Sequence, residues 1–293
     1  MKSFRFLLAV ACVVSVLPSS HAQIAVDLNI KRRSFIRYEP IIATVTVTNL
    51  AGRDLILRDG EAQWFGFQVL TAANLPVPPR NPSYHLDSLE LKAGTTVKRT
   101  VNLNTLFALN EFGIYRIRAQ IFSDEMNKFF SSRPTNLEIS DAQVMWQQTV
   151  GVPEDKEGGG SMRTVSLLMW QGPEHQHLYC RIEDRNAGVV YCTTELGHVV
   201  ANSQPEVQFD LENNFYVLNY IAPKMYALYK VGLNGEFLGE TKYAAPKSRP
   251  RFRRLADGTL QIVGGQRQVA QTTAAQAPPP KLSDRPPELR AKN

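Results

Sequence analysis

The feature that most constrains this chain is the regular alternation of short strand-like segments and turns between residues 24 and 140. The run 41–49, IIATVTVTN, alternates apolar and polar side chains, which places one set on each face of a β-strand. Turn-forming residues follow, as at Asn49–Arg53, and further alternating runs recur along this half. The pattern predicts an all-β fold built from short strands packed as a sandwich.

One motif makes that prediction more specific. The run EFGIYRIRAQI contains Glu111, Gly113, Tyr115 and Ile117. It resembles the D-x-G-x-Y-x-C run of immunoglobulin-like domains, with glutamate in place of aspartate and isoleucine in place of cysteine. The resemblance covers about residues 24–140 and implies an immunoglobulin-like sandwich in which Tyr115 forms a tyrosine corner. It implies no activity.

The N-terminus predicts export. Lys2 and Arg5 precede a short apolar run, Phe6–Leu17, and Ser20–Ala22 provides a small-x-small cleavage site. Because the apolar run is shorter than the roughly 20 residues that span a bilayer, we interpret residues 1–22 as a secretory signal peptide cleaved after Ala22. No later segment is apolar enough to span a membrane. The mature protein is therefore expected to be secreted or periplasmic, from a bacterium.

The second half contains an internal repeat of hairpins. Residues 177–197 align with residues 224–244, and the alignment matches Tyr179 with Tyr226 and Gly188 with Gly235. Repeats of this length resemble β-propeller blades. Since residues 164–266 hold only about two and a half such units and a closed propeller needs at least four, we expect an open, blade-like β domain.

Composition marks the boundaries of this second domain. Residues 151–163 include three consecutive glycines and several acidic residues, which predicts a flexible loop or linker after a sandwich domain at 23–150. Residues 267–293 are rich in proline, alanine and charge, which predicts a disordered tail.

The two cysteines of the mature chain predict a disulfide. Cys180 and Cys192 flank a turn at Arg185–Ala187, and a hairpin centred on Asn186 would place them directly opposite each other. Disulfides persist in exported proteins. Two buried free thiols are the alternative interpretation.

Candidate catalytic chemistry is sparse. No nucleophile motif is present, and the acid pairs lie at turns, where they are solvated. His175 and His177 form an H-x-H pair that, with His198 or Glu206, is a weak metal-site candidate. A hydrated hairpin loop explains the same residues. We therefore predict no enzymatic activity, no cofactor and no metal.

Two surface features suggest a ligand. Arg251 and Arg253 share one face if residues 251–254 are extended, and Trp64 could stack on a sugar. A solvated strand face and a core aromatic are the competing interpretations.

These observations favour a non-catalytic interaction or scaffold protein of the cell envelope that presents strand faces, loops and edge strands to a partner. The partner would be a protein or an envelope polysaccharide. Export argues against nucleic acid as the partner. The formal net charge of +6 indicates only a mild preference for an anionic partner. A carbohydrate-binding module is the first alternative, and a metal-dependent hydrolase is the less favoured one.

Overall fold

A computed structural model describes residues 23–200 and 203–268. The predicted signal peptide and the tail from residue 269 lie outside the described residues. The prediction of an all-β protein is confirmed, since the described residues form strands with a single short helix, α1 at Leu103–Leu106.

The first half, residues 23–140, forms two main sheets. Its strands are β1 Ile24–Ile30, β2 Ser34–Ile36, β3 Ile42–Asn49, β4 Leu55–Leu57, β5 Phe65–Thr71, β6 Leu89–Leu91, β7 Thr96–Asn102, β8 Gly113–Ser123, β9 Lys128–Ser131 and β10 Thr135–Ser140. One sheet has the order β1-β3-β7, the other has the order β2-β10-β8-β5 with β9 also pairing with β8, and β4 pairs with β6. All pairs are antiparallel except β2 with β10.

Alternation along the strands builds the core of this half. In β3, Ala43, Val45 and Val47 are buried, whereas Thr44 and Thr48 point to the other face. Inward-facing side chains from both sheets then meet in one apolar cluster. At the edge of this core Tyr115 donates its hydroxyl to the carbonyl oxygen of Glu111 at 3.0 Å, which is the geometry of a tyrosine corner.

The second half, from residue 143, forms two further sheets. Its strands are β11 Gln143–Gly151, β12 Met162–Gln171, β13 Gln176–Asp184, β14 Val189–Val199, β15 Glu206–Phe209, β16 Phe215–Ala222, β17 Met225–Val231, β18 Phe237–Ala244, β19 Arg251–Arg254, β20 Leu260–Val263 and β21 Gln266–Arg267. The sheet orders are β11-β12-β13-β14 and β15-β16-β17-β18-β21, and β19 pairs with β20. Within the described residues neither sheet closes into a barrel or a propeller.

These two sheets share one apolar cluster, to which both copies of the repeated hairpin contribute. Cys180 in β13 and its repeat partner Ala227 in β17 are both fully buried there. The glycine-rich segment 151–163 connects β11 to β12, and Val152 donates its N–H to Ser161 at 2.8 Å across its base. Because β11 pairs with β12, the sheet begins before this connection.

The predicted pairing of the cysteines is wrong. In the structure Cys180 lies opposite Thr194, and Cys192 lies opposite Ile182, so the two cysteines are diagonal neighbours. No disulfide joins these two cysteines. The register differs because the turn is one residue longer than predicted, with Gly188 in a left-handed conformation at φ 66°, and because a β-bulge at Tyr191 adds a second residue.

The two halves meet in a small interface that combines apolar and polar contacts. Ile36 packs in a cluster with three residues of the second half, namely Leu168, Trp170 and Tyr179. Arg32 donates to the hydroxyl of Tyr179 at 3.0 Å and forms an ion pair with Glu39, which is buried. These contacts hold the first sandwich against the sheet β11-β12-β13-β14.

Candidate functional site

Strand β5 is the outermost strand of its sheet, so one of its sides has no neighbouring strand in that sheet. On the inner side, Trp64 accepts a hydrogen bond from the N–H of Phe122 at 2.8 Å, and the antiparallel register continues along β8. Backbone groups alternate sides in such a pair. Gly66 and Gln68 therefore bond to β8, and the N–H and carbonyl groups of Phe67 point outward.

The outer side of β5 has partners only near its C-terminal end. There Val69 accepts a hydrogen bond from Val77 at 2.9 Å, and Thr71 donates to Leu75 at 2.9 Å. Within residues 23–200 and 203–268, no backbone group pairs with the outward groups of Phe65 or Phe67. The first part of β5 is thus an open edge, which we call the β5 edge and define as Phe65–Gln68.

An apolar groove of about 410 Å³ lies beside the β5 edge. Its walls include the side chains of Phe65, Phe67, Val77, Tyr84, Phe107 and Phe129. Burial raises the pKa of Tyr84, and the nearby Arg99 only partly offsets this effect, so the phenol is neutral at physiological pH. Gly66 also lines the groove, where an added Cβ would meet no atom within 4 Å. The face of β5 on which Gly66 lies is therefore uncovered at this residue.

The opposite wall of the groove comes from the connection between β5 and β6. Three prolines of this connection line the groove: Pro76, Pro79 and Pro82. Proline has no N–H, so this wall cannot complete the ladder along the strand. The connection is held in place by the N–H of Arg80, which donates to Leu106 at 2.7 Å, and by Leu86, which accepts a bond from the Trp64 indole at 3.0 Å.

Trp64, which was a candidate for stacking on a sugar, is not exposed to solvent. Only 1% of the residue is exposed, and it packs in the core of the first half beside Phe65, with ring centroids 5.5 Å apart. A ligand cannot reach the ring without unfolding of the sandwich. The competing interpretation of a core aromatic therefore describes this residue.

Arg251 and Arg253 lie on the short strand β19, and both are exposed, while Phe252 between them is half-buried. Arg254 is different, because it donates to the carbonyl oxygen of Phe209 at 2.6 Å and so anchors the hairpin of β19 and β20. The two alternate arginines remain available as a cationic surface.

The three histidines of the second half come together. The ring centroids of His175 and His177 lie 5.0 and 5.1 Å from that of His198, and His177 bonds to Glu195 at 2.7 Å. Glu206 is instead paired with Arg249 at 3.1 Å. In the part of the chain that the structure describes, no group of three potential ligands has the arrangement of a metal site. Of the three, His177 also contacts Trp170, with ring centroids 5.6 Å apart, near the interface between the halves.

Sequence reasoning missed the groove because its walls come from segments far apart in the chain. The proline-rich connection after β5 was the one visible signal, since prolines cannot extend a sheet.

Within residues 23–200 and 203–268 no helix is long and apolar enough to cross a membrane. The chain matches no family model and no curated protein. Its function is therefore inferred from its own surfaces.

Proposed function

We propose that this chain is an exported, non-catalytic interaction protein of the cell envelope that binds an extended, apolar segment of a partner protein along the β5 edge. The observation that carries the proposal is the backbone of Phe67, which has no backbone partner among the described residues and lies beside an apolar groove. In this mode of recognition, the added strand gains main-chain hydrogen bonds, and alternate side chains enter the groove.

The sequence of β5 supports a role in binding. An unpaired edge strand tends to pair with other chains, and proteins usually protect such edges with charged residues, prolines or bulges. The strand FGFQVLT has no charged residue and no proline, and it pairs with β8 without a bulge. An edge kept open in this way is suited to a partner that supplies the missing strand.

The finer fold assignment belongs to the same proposal. The strand order β1-β3-β7 facing β2-β10-β8-β5, with β2 parallel to β10, supports an immunoglobulin-like sandwich within residues 23–140, as does the bond from Tyr115 to Glu111. The repeated hairpins β13–β14 and β17–β18 support two blade-like sheets in the second half, which begins with β11. Export to the periplasm or beyond rests on the leader at 1–22.

The proposal is tested with a library of ten-residue peptides displayed against the purified mature protein. Selected peptides should alternate apolar and polar residues, and their binding should protect the amide proton of Phe67 from exchange with solvent. Protection elsewhere, or selection of no peptide, contradicts the proposal.

Matched variants sharpen this test. Gly66→Glu adds a charged side chain at the β5 edge without a clash, because a Cβ there meets no atom within 4 Å, and we expect it to weaken peptide binding at least about tenfold, as loss of a central contact does. Gly151→Glu is the control, because the nearest atom to its added Cβ is Met162 Sδ at 3.9 Å. Equal affinity of both variants for the peptide would overturn the proposal.

A further inference from the structure

Three tyrosines form a row on the sheet of the second half. Tyr220 in β16 lies opposite Tyr226 in β17, and Tyr226 lies opposite Tyr243 in β18. Residues directly opposite each other share a face of the sheet. Because Asn219 and Ala227, next to them in sequence, are fully buried on the inner side, the row faces away from the core. We call these three residues the tyrosine row.

The members of the tyrosine row are half-buried, and each keeps its hydroxyl available. The rings of Tyr220 and Tyr226 are in contact, with centroids 5.1 Å apart and planes tilted by 55°. Among the described residues no hydrogen-bond partner is recorded for the three hydroxyl groups. A buried tyrosine hydroxyl usually finds a partner inside the protein. Here the three hydroxyls lack such a partner among the described residues, so they can bond to a ligand.

A polar cleft of about 510 Å³ lies over two members of this row, Tyr220 and Tyr226. Its lining combines aromatic, apolar and charged side chains: Tyr220, Tyr226, Leu218, Lys224, Arg249 and Glu206. This lining differs from that of the groove beside β5, because cations and hydroxyls replace most of the apolar wall. A purely apolar occupant would leave these polar groups desolvated without partners.

The charge around the cleft is positive. Glu206 is paired with Arg249 at 3.1 Å, whereas Lys224 has no carboxylate partner among the described residues. Lys224 is held at the rim by the backbone, since Ala245 donates its N–H to the Lys224 carbonyl oxygen at 2.7 Å. Beyond Arg249 the chain continues to the exposed Arg251 and Arg253. Exposed arginines thus alternate along the chain from Arg249 at the cleft to Arg253.

We propose that this cleft binds an acidic polysaccharide. The apolar face of a sugar ring would pack on Tyr220 and Tyr226, and its hydroxyls would bond to the tyrosine hydroxyls. The carboxylate or sulfate of that sugar would pair with Lys224, and charges on the following sugars would meet Arg251 and Arg253. The combination of flat aromatic rings with separated cations fits a chain of charged sugar rings, and it replaces Trp64 as the aromatic part of a carbohydrate site.

The site is tested by calorimetry with four defined polymers at 50 mM and 150 mM salt. Two are acidic polysaccharides, polygalacturonate and alginate, one is the neutral polysaccharide dextran, and one is a thymidine oligonucleotide. The proposal expects binding of at least one acidic polysaccharide and weaker binding at higher salt, because exposed charge pairs are screened. It expects no binding of dextran and much weaker binding of the oligonucleotide.

Variants locate the binding in the cleft. Tyr226→Ala should weaken affinity about tenfold, a loss typical of a central aromatic contact, and Lys224→Gln about threefold to fivefold, a loss typical of one exposed charge pair. Two matched controls lie outside both the cleft and the groove beside β5 and should stay within about twofold, since neither residue reaches the ligand: Phe112→Ala for an exposed aromatic and Lys98→Gln for an exposed cation.

A circular dichroism melt ensures that each variant is folded, and Tyr226→Phe gives a second variant that keeps the ring. Absence of binding to both acidic polysaccharides overturns the proposal. Equal affinity for the oligonucleotide also overturns it, because that result would indicate attraction to any polyanion. Wild-type affinity of Tyr226→Ala overturns the placement of the sugar on the tyrosine row.

Discussion

Val77 donates its backbone N–H to the carbonyl oxygen of Val69 at 2.9 Å, and this bond marks the point where the outer side of β5 gains a partner. On the N-terminal side of Val69, the strand is open beside an apolar groove. The same connection that supplies Val77 also supplies the proline wall of that groove. The connection between β5 and β6 therefore pairs with the C-terminal part of β5 and leaves the β5 edge open.

Removal of the Tyr115 hydroxyl should destabilise the first half. Tyr115→Phe deletes the bond to Glu111 and leaves a carbonyl group without its partner, so we expect the free energy of unfolding to fall by about 1–1.5 kcal/mol. Urea denaturation of the full chain measures this. Tyr226→Phe is the matched control, since no partner of its hydroxyl is recorded among the described residues, and it should change stability little. Equal effects would contradict the role of Tyr115.

Trp64→Ala should lower the free energy of unfolding rather than remove a ligand-binding surface. Because the ring is buried in the sandwich core and its indole N–H bonds to Leu86, we expect a loss of about 3–5 kcal/mol. The exposed Leu238→Ala should cost less than about 0.5 kcal/mol. Thermal denaturation compares the two. A Trp64→Ala variant as stable as wild type would show that the ring is accessible after all.

Glu39 should make the interface between the halves sensitive to pH. Burial raises the pKa of Glu39 above the value of 4.5 that the free side chain has, and Glu195 adds to this, while Arg32 and the Ile36 N–H oppose the shift without cancelling it. The folded state then binds more protons than the unfolded state in the pH range just above 4.5. Wild type therefore loses stability relative to Glu39→Gln as pH rises through that range.

Urea denaturation of both proteins between pH 4.5 and 7.5 measures this effect, with the exposed Glu61→Gln as control. The difference in stability should shift steadily in favour of Glu39→Gln as the pH rises, and Glu61→Gln should follow wild type. A shift in favour of wild type would mean that the ion pair with Arg32 outweighs the cost of burial.

Cys180 should be a thiol that reacts slowly in the native protein. Burial raises the pKa of Cys180 well above its usual value, and the neighbouring Cys192 adds to the effect. Little thiolate forms at pH 8, so iodoacetamide should label Cys180 in the native protein far more slowly than in guanidinium. Peptide mass spectrometry after timed labelling measures both rates. Recovery of a peptide pair linked between Cys180 and Cys192 would contradict the structure.

The strands were predictable because their signal is local. Alternation in the run 41–49 sets the buried face of β3 without any knowledge of the neighbouring strands. The repeat in the second half was visible for the same reason, since Cys180 and Ala227 take equivalent buried positions in β13 and β17. Equivalent buried positions require small or apolar residues in both copies of the hairpin, and this requirement is visible in the sequence.

Register and surface were not predictable in this way. The bulge at Tyr191 moves Cys192 out of line with Cys180, and nothing in the local sequence marks that extra residue. The sequence around Trp64 favours a core aromatic but leaves a surface position open until its neighbours are known. The groove and the tyrosine row arise from residues that come together only when distant segments pair, as Tyr226 and Tyr243 do.

The most direct test of the central claim is the exchange rate of individual amide protons along β5, measured by nuclear magnetic resonance on the protein without a ligand. The amides of Gly66 and Gln68 bond to β8, and we expect them to exchange at least about a hundredfold more slowly than that of Phe67, which faces the groove. Slow, fast and slow exchange at three successive residues would establish an open edge. Protection of Phe67 equal to that of Gln68 would show that the edge is already covered, and it would contradict the proposed function.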